Sequence, residues 1–149
     1  QILDQEDPET KQRQLDALGR IRNHVRFFEA QPVRYGFPVQ YSTQSTLFTD
    51  VPSAIESLRT DCDTVQDPTL TVTDIEIRTI GDQSTAFYVL TPTAEVGNII
   101  ETVVCFRTGR IVHSISQQGF EGTERLEVQL GLADEMLDNV EAVFDGDQG

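Results

Sequence analysis

The sequence predicts an α+β domain: an antiparallel meander of about four strands packed by N-terminal, middle and C-terminal helices. Three observations carry this. Apolar residues recur at helical spacing in three separate stretches. Between the second and the third, from Leu70 to Gln117, the apolar period changes to near two, as in half-buried strands. The signals separating those strands are short, and consecutive strands joined by short turns pair antiparallel. A chain of 149 residues, 38% hydrophobic and with eight phenylalanines, is about one domain with enough apolar surface for a core. The expected organisation is a polar lead over 1–7, a single domain over 8–145 and a frayed tail over 146–149.

The first helix is expected from Asp7-Pro8-Glu9, because Asp7 can cap, Pro8 suits the first helical position and Glu9 suits the positive end of the dipole. Leu15, Leu18, Ile21, Val25 and Phe28 carry its stripe down to Ala30, with Arg20, Arg22, His24 and Arg26 on the other faces. Pro32 and Tyr35-Gly36-Phe37-Pro38 end it and begin an irregular or extended passage through Tyr41. Thr49-Asp50-Val51-Pro52 opens the middle helix. Ile55, Leu58, Cys62 and Val65 follow at spacings of three, four and three, which puts Cys62 on the buried stripe, and Asp67-Pro68 ends the helix.

Leu70 and Val72 alternate, then Ile75 and Ile77 alternate out of phase with them, which predicts a bulge near Thr73-Asp74. Gly81-Asp82-Gln83 turns the chain into a strand over 84–90, and a loop from Pro92 to Gly97 leads to the next strand over 98–107. Thr108-Gly109 is the expected turn into 110–117, which sets Phe106 opposite Ile111, Val104 opposite His113 and Cys105 opposite Val112. Neither face of that hairpin is plainly polar, so the sheet is expected to be covered in part on both sides. Leu126, Leu130, Ala133, Leu137, Val140 and Phe144 then repeat at four and three, the apolar face of an acidic C-terminal helix.

The formal net charge is −14, from 25 acids against 11 bases. Six of those bases lie within the first 34 residues, where six acids balance them, so the acidity belongs to the rest of the chain. Such a field repels a phosphate backbone and an anionic membrane surface, which sets nucleic acid aside as a partner. No stretch approaches the roughly 18 consecutive apolar residues that would span a bilayer, so no membrane insertion is expected.

Cys62 and Cys105 fit neither a CxxC pair nor a zinc pattern. They are either two buried thiols or one structural disulfide, and the bridge is the favoured arrangement if the domain is exported. The polar start at Gln1 to Asp7 has the look of a chain whose signal peptide or anchor has been removed, so an extracellular or cell-envelope location is expected.

Chemistry is sparsely marked. No Gly-rich nucleotide loop, GxSxG elbow or histidine-based metal motif occurs, so no cofactor, metal or catalytic residue is assigned. Four residues are candidates for a ligand site. His113 stands in a strand, where it is either a hydrogen-bonded core residue or a polar anchor in a cleft. Tyr35 and Tyr41 flank the Gly36-Phe37-Pro38 cluster and are either a loop stapled over the core or an aromatic cleft wall. Gln117, near Gly119 at the expected strand end, could line a binding edge.

From about Thr46 to Phe144 the chain resembles small exported bacterial lipoproteins and the extracellular sensor domains attached to some bacterial serine/threonine kinases. The carriers are Phe48-Thr49-Asp50 entering a helix that ends at Cys62, Ile80-Gly81-Asp82 before a strand, and the run from Val104 through Thr108-Gly109 to Val112. Gln118-Gly119 and Leu132-Ala133 complete the pattern. The resemblance implies an α+β ligand-binding or sensory module.

Three functions are in view. The first is a non-enzymatic exported or tethered domain that binds a small molecule or a protein partner. The second is a small cone-shaped enzyme similar to the steroid-isomerase and polyketide-cyclase folds, with His113 as base and Tyr35 or Tyr41 orienting substrate, which requires His113 inside a deep cavity. The third is a structural assembly subunit contacting neighbours through its acidic helix or a free sheet edge.

Overall fold

The computed structural model describes residues 17, 19–30, 36, 38–62, 70–95 and 97–146. Its elements run β1 (Arg20–Glu29), β2 (Gln40–Phe48), α1 (Val51–Asp61), β3 (Thr71–Ile75), β4 (Gln83–Thr91), β5 (Ile99–Thr108), β6 (Ile111–Phe120) and α2 (Leu126–Gly146). The six strands form one antiparallel sheet in the order β1-β2-β6-β5-β4-β3. The α+β class therefore stands, but the sheet has six strands rather than about four.

The two additional strands come from segments read as helix and as irregular passage. Over Arg20–Glu29 the expected helix is instead β1. Ile21, Val25 and Phe28 satisfy a helical spacing, yet arginines also alternate with Ile21, Val25 and Phe27 along the same residues, as in a strand. Pairing with β2, in register from Arg22 opposite Leu47 to Glu29 opposite Gln40, selects the strand. Leu15 and Leu18 lie outside the described residues. β2 was hidden because Ser42 to Thr46 holds only serine, threonine and glutamine, with no apolar alternation to betray it.

Side-chain alternation assigns the helices to opposite faces of the sheet. On one face, Ala54 and Leu58 of α1, with Cys62 just past its end, pack with Phe48, Cys105 and Val112. On the other, Ala133 of α2 joins Val104, Phe106, Ile115, Ala86 and Ile80, with Leu126, Leu130 and Leu137 against them. β5 and β6, central in the sheet, are thus sandwiched between helices, as the mixed polarity of their hairpin implied.

α1 starts where the sequence marks it. The Asp50 carboxylate accepts from the Ser53 backbone N–H at 2.7 Å, which holds its carboxyl below the usual carboxylate range, and Pro52 stands in the first turn. The helix ends at Asp61, with Cys62 as its C-cap; Val65, Asp67 and Pro68 lie outside the described residues. Its buried stripe is Ala54, Leu58 and Cys62 at intervals of four, so Ile55 is one position off the stripe and is exposed. Cys62 is joined to Cys105 of β5, their Cα atoms 6.2 Å apart.

The register of β5 and β6 is offset by two residues from the expected one. The two-residue turn is Gly109-Arg110, with Gly109 at φ +57°, so Phe106 faces His113, Val104 faces Ile115 and Cys105 faces Ser114. A two-residue offset keeps every side chain on its face, which is why the core composition survives the change. β3 pairs with β4 continuously from Thr71 to Ile75, so the expected bulge is absent; Val72 simply faces outward, opposite in direction to Ile75. β6 continues through Gly119 to Phe120, beyond the expected exit at Gln118.

Ile80-Gly81-Asp82 fastens the β3–β4 connection to the β5–β6 turn. The Asp82 carboxylate accepts from the Gly109 N–H at 2.7 Å and from Arg107 at 3.4 Å, while the Asp82 N–H donates to the Arg107 carbonyl at 2.8 Å. Gly81 makes this possible: it sits at φ +62°, and a Cβ there would lie 2.5 Å from the Arg107 carbonyl oxygen. Gly81→Ala combines left-handed strain with that clash and is expected to destabilise by about 2–3 kcal/mol, read as a lowered urea midpoint with an unchanged slope.

Candidate functional site

The bare flank of the sheet and α2 enclose a cleft of about 380 Å³. One wall is the β1–β2 pair, where Phe28 lies opposite Tyr41 and Arg26 opposite Thr43, all four on the face that carries α2. The other wall is α2, which presents Val128, Leu132, Glu135, Met136 and Asn139. These recur at four, three, one and three, a single helical face beside the core stripe of Leu126, Leu130, Ala133 and Leu137. Leu132 and Met136 lie at the boundary, packing against the core cluster while also lining the cleft.

Tyr41 is held by a chain of hydrogen bonds that runs back to the start of α2. The buried Gln117 donates from Nε2 to the Tyr41 hydroxyl oxygen at 2.7 Å, and its Oε1 accepts from the Arg125 backbone N–H at 2.9 Å. Arg125 in turn donates from Nη2 to the Gly36 carbonyl at 3.0 Å. Because the Tyr41 oxygen is used as an acceptor, its hydroxyl proton is directed elsewhere, and no described residue accepts it. Arg26, which also lines the cleft, donates from Nε to His24 Nε2 at 3.0 Å. The lining thus offers a ligand apolar and aromatic surface, a guanidinium, a phenol proton and, from α2, the Glu135 carboxylate and Asn139 amide.

The four candidate ligand residues separate. Tyr41 lines the cleft and Gln117 supports it from behind. Tyr35 lies outside the described residues. His113 does not line the cleft: it is 1% exposed, stacked on Phe106 with ring centroids 4.6 Å apart, and its Nδ1 is 2.8 Å from Ser45 Oγ. Burial pushes its pKa down to about 4, so the ring is neutral at pH 7, with Nε2 unpartnered in the core. The pocket-enzyme reading asked for His113 inside a deep cavity, and this position does not supply that.

Gln129 is a second buried amide. It interrupts the apolar stripe of α2 and is fully buried, donating from Nε2 to the Thr102 carbonyl at 2.8 Å and the Ile115 carbonyl at 3.1 Å. A carbonyl has two lone pairs, so strand carbonyls can take these side-chain bonds and fix the helix along the sheet.

Sequence reading missed Val128, Leu132 and Met136 as site residues, although their regular interval of four beside the core stripe is a legible signal. It also missed Arg26 and Phe28, because the helix expected there points them elsewhere. The chain matches no family model, no curated protein and no solved structure. Among the described residues, no helix is long and apolar enough to cross a membrane.

Proposed function

We propose that this is a non-enzymatic ligand-binding domain of sensor type, working outside the cytoplasm, that takes a flat or elongated apolar small molecule with an anionic end in the cleft between β1–β2 and α2. The observation that carries the reading is the lining: Phe28, Tyr41, Val128, Leu132 and Met136 surround about 380 Å³, with Arg26 as the cation. That volume lies in the range of small-molecule sites, which combine apolar walls with a few placed polar groups. The Cys62–Cys105 bond supports the compartment, since structural disulfides persist where the surroundings are oxidising. The resemblance to exported lipoproteins and kinase-attached sensor domains is consistent with both parts of the proposal.

Anilinonaphthalene sulfonate, a flat apolar body with one anionic group, is a suitable probe. It is expected to bind the native protein saturably at one site. Val128→Glu places a carboxylate on the exposed part of the helical wall and is expected to raise the probe's Kd by at least about tenfold, with the unfolding midpoint unchanged. Val128 is the better position because Tyr41→Phe keeps the ring while altering the buried Gln117 contact, mixing stability with binding. Saturable binding that both Val128→Glu and Phe28→Glu leave intact would move the site elsewhere.

A further inference from the structure

We infer that β1 is a docking edge that accepts an extended segment of a partner protein, with carboxylates on one side of that segment and apolar side chains on the other. The inference rests on the strand edge and on the side chains of β1; Arg26 and Phe28 are shared with the cleft, so the variants that test it, at Arg22 and Phe27, lie outside the cleft lining.

β1 is the terminal strand of the sheet, ten residues long, and no strand lies beside its outer edge among the described residues. An edge strand offers unpaired N–H and C=O groups to any chain that can extend alongside it. The opposite edge, β3, is only five residues long. The residues of β1 from Ile21 to Glu29 are exposed on both faces of the strand. Of the eight large hydrophobic side chains exposed among the described residues, Ile21, Val25, Phe27 and Phe28 belong to it, with Phe27 68% exposed. Such side chains on a bare edge mark an interaction surface.

Charge selects the occupant. β1 holds three of the chain's 11 bases and one of its 25 acids, so it is a basic strand on an acidic molecule. Arg22, His24 and Arg26 project to the face of the cleft, while Val25 and Phe27 project to the other face. A second copy is a poor occupant. Two β1 strands paired about a two-fold axis normal to the sheet keep their faces, so Arg22 and Arg26 of both copies would share one side. Centring the pair on His24 would set Arg22 directly opposite Arg26, and like charges directly opposite are destabilising. Each copy also carries a net charge of −14. A partner strand with acids spaced four apart, opposite Arg22 and Arg26, and with valine-like residues opposite Val25 and Phe27, meets both the charged and the apolar side chains of β1 favourably. Main-chain pairing then supplies affinity and the alternating side chains supply selection.

The test is fluorescence anisotropy with a labelled eight-residue peptide, acetylated and amidated, in which valine alternates with glutamate and threonine. It is expected to bind, more weakly as salt is raised. Two versions N-methylated on alternate sets of residues should separate, since only one peptide edge faces β1: one binds as the parent does and the other does not. Arg22→Glu and Phe27→Glu, both at exposed positions outside the cleft, should each raise Kd by about tenfold. A peptide with lysine in place of glutamate should then prefer the Arg22→Glu protein. No binding of the parent peptide at millimolar concentration, or equal binding of both N-methylated versions, overturns the inference. A self-association that Phe27→Glu abolishes would assign the edge to a second copy and overturn it equally.

Discussion

Replacing Cys62 and Cys105 together by alanine is expected to lower the unfolding free energy by about 4 kcal/mol, the loop-closure value for a bridge spanning 43 residues. Against the roughly 5–15 kcal/mol that holds an ordinary domain, this is a large fraction. The segment closed by the bridge contains β3 and β4, so an unfolded chain without it gains the freedom of two strands and their connections. The native state loses a fastening as well. α1 has only 11 residues, too few to be stable alone in water, and Ala54, Leu58 and the Cys62 sulfur are its buried contacts with the sheet. The amides of α1 are therefore expected to exchange faster in the double variant, ahead of those in β5 and β6. Urea unfolding of oxidised, reduced and double-alanine protein checks this. Reduced and double-alanine proteins should both unfold well below the oxidised one. A midpoint unmoved by reduction would mean that the two sulfurs are not joined in solution, and the case for an oxidising compartment would lose its main support.

The parts of this fold that were legible in the sequence are those where a single period dominates. Leu126 to Val140 repeats at helical intervals over several turns and lies where α2 was expected. Asp50 and Pro52 mark the start of α1 by local chemistry that tertiary packing has no reason to override. β5 and β6 are legible as a hairpin, and the two-residue difference in register lies in the turn: Gly109 at φ +57° stands first in it and no described non-glycine residue takes a positive φ, whereas a Thr108-Gly109 loop of the favoured kind would put a β-branched threonine there.

The unread parts have a common cause. β1 and β2 stand at the open side of the sheet, where one face lines the cleft and the other is largely uncovered by α1. Strands not buried on a face need not alternate apolar and polar residues, and Ser42 to Thr46 does not. The same exposure places the candidate cleft on this flank. The cleft and the free edge lie where the sequence departs from core patterning, so the failure to recognise β1 and β2 and the failure to find Arg26 and Phe28 are one failure. Tyr41 escaped it because an aromatic residue beside Pro38 draws attention without a secondary-structure assignment. Gln117 was singled out as an edge residue, yet it works as a buried support, which only its two hydrogen bonds reveal.

His113 leads to the second large effect, a loss of stability in mild acid. In the folded chain burial holds its pKa at about 4, against an ordinary 6.5. Between those values the unfolded chain binds the proton and the folded chain does not, so stability rises with pH across this window. The contribution of the neutral ring is whole above pH 6.5 and is lost as pH falls toward 4, by about 3 kcal/mol in all. The chain's many carboxylates complicate a raw pH curve, because protonating them relieves the self-repulsion of a molecule with net charge −14 and acts in the opposite direction. Comparison with His113→Phe removes that background. Phenylalanine preserves the stacking on Phe106, and the half-buried Ser45 hydroxyl can turn to water, so the two proteins should be of similar stability at pH 7. At pH 4.5 the phenylalanine variant is expected to be the more stable by about 2.5 kcal/mol, measured by urea unfolding at each pH. The outcome bears on function as well as on stability. A ring that stays neutral across this range, with Nδ1 on Ser45 and Nε2 enclosed by the core, has no route for passing a proton to a bound molecule. Parallel curves for the two proteins would show instead that the imidazole is solvated in the native state, and the pocket-enzyme reading would recover its base.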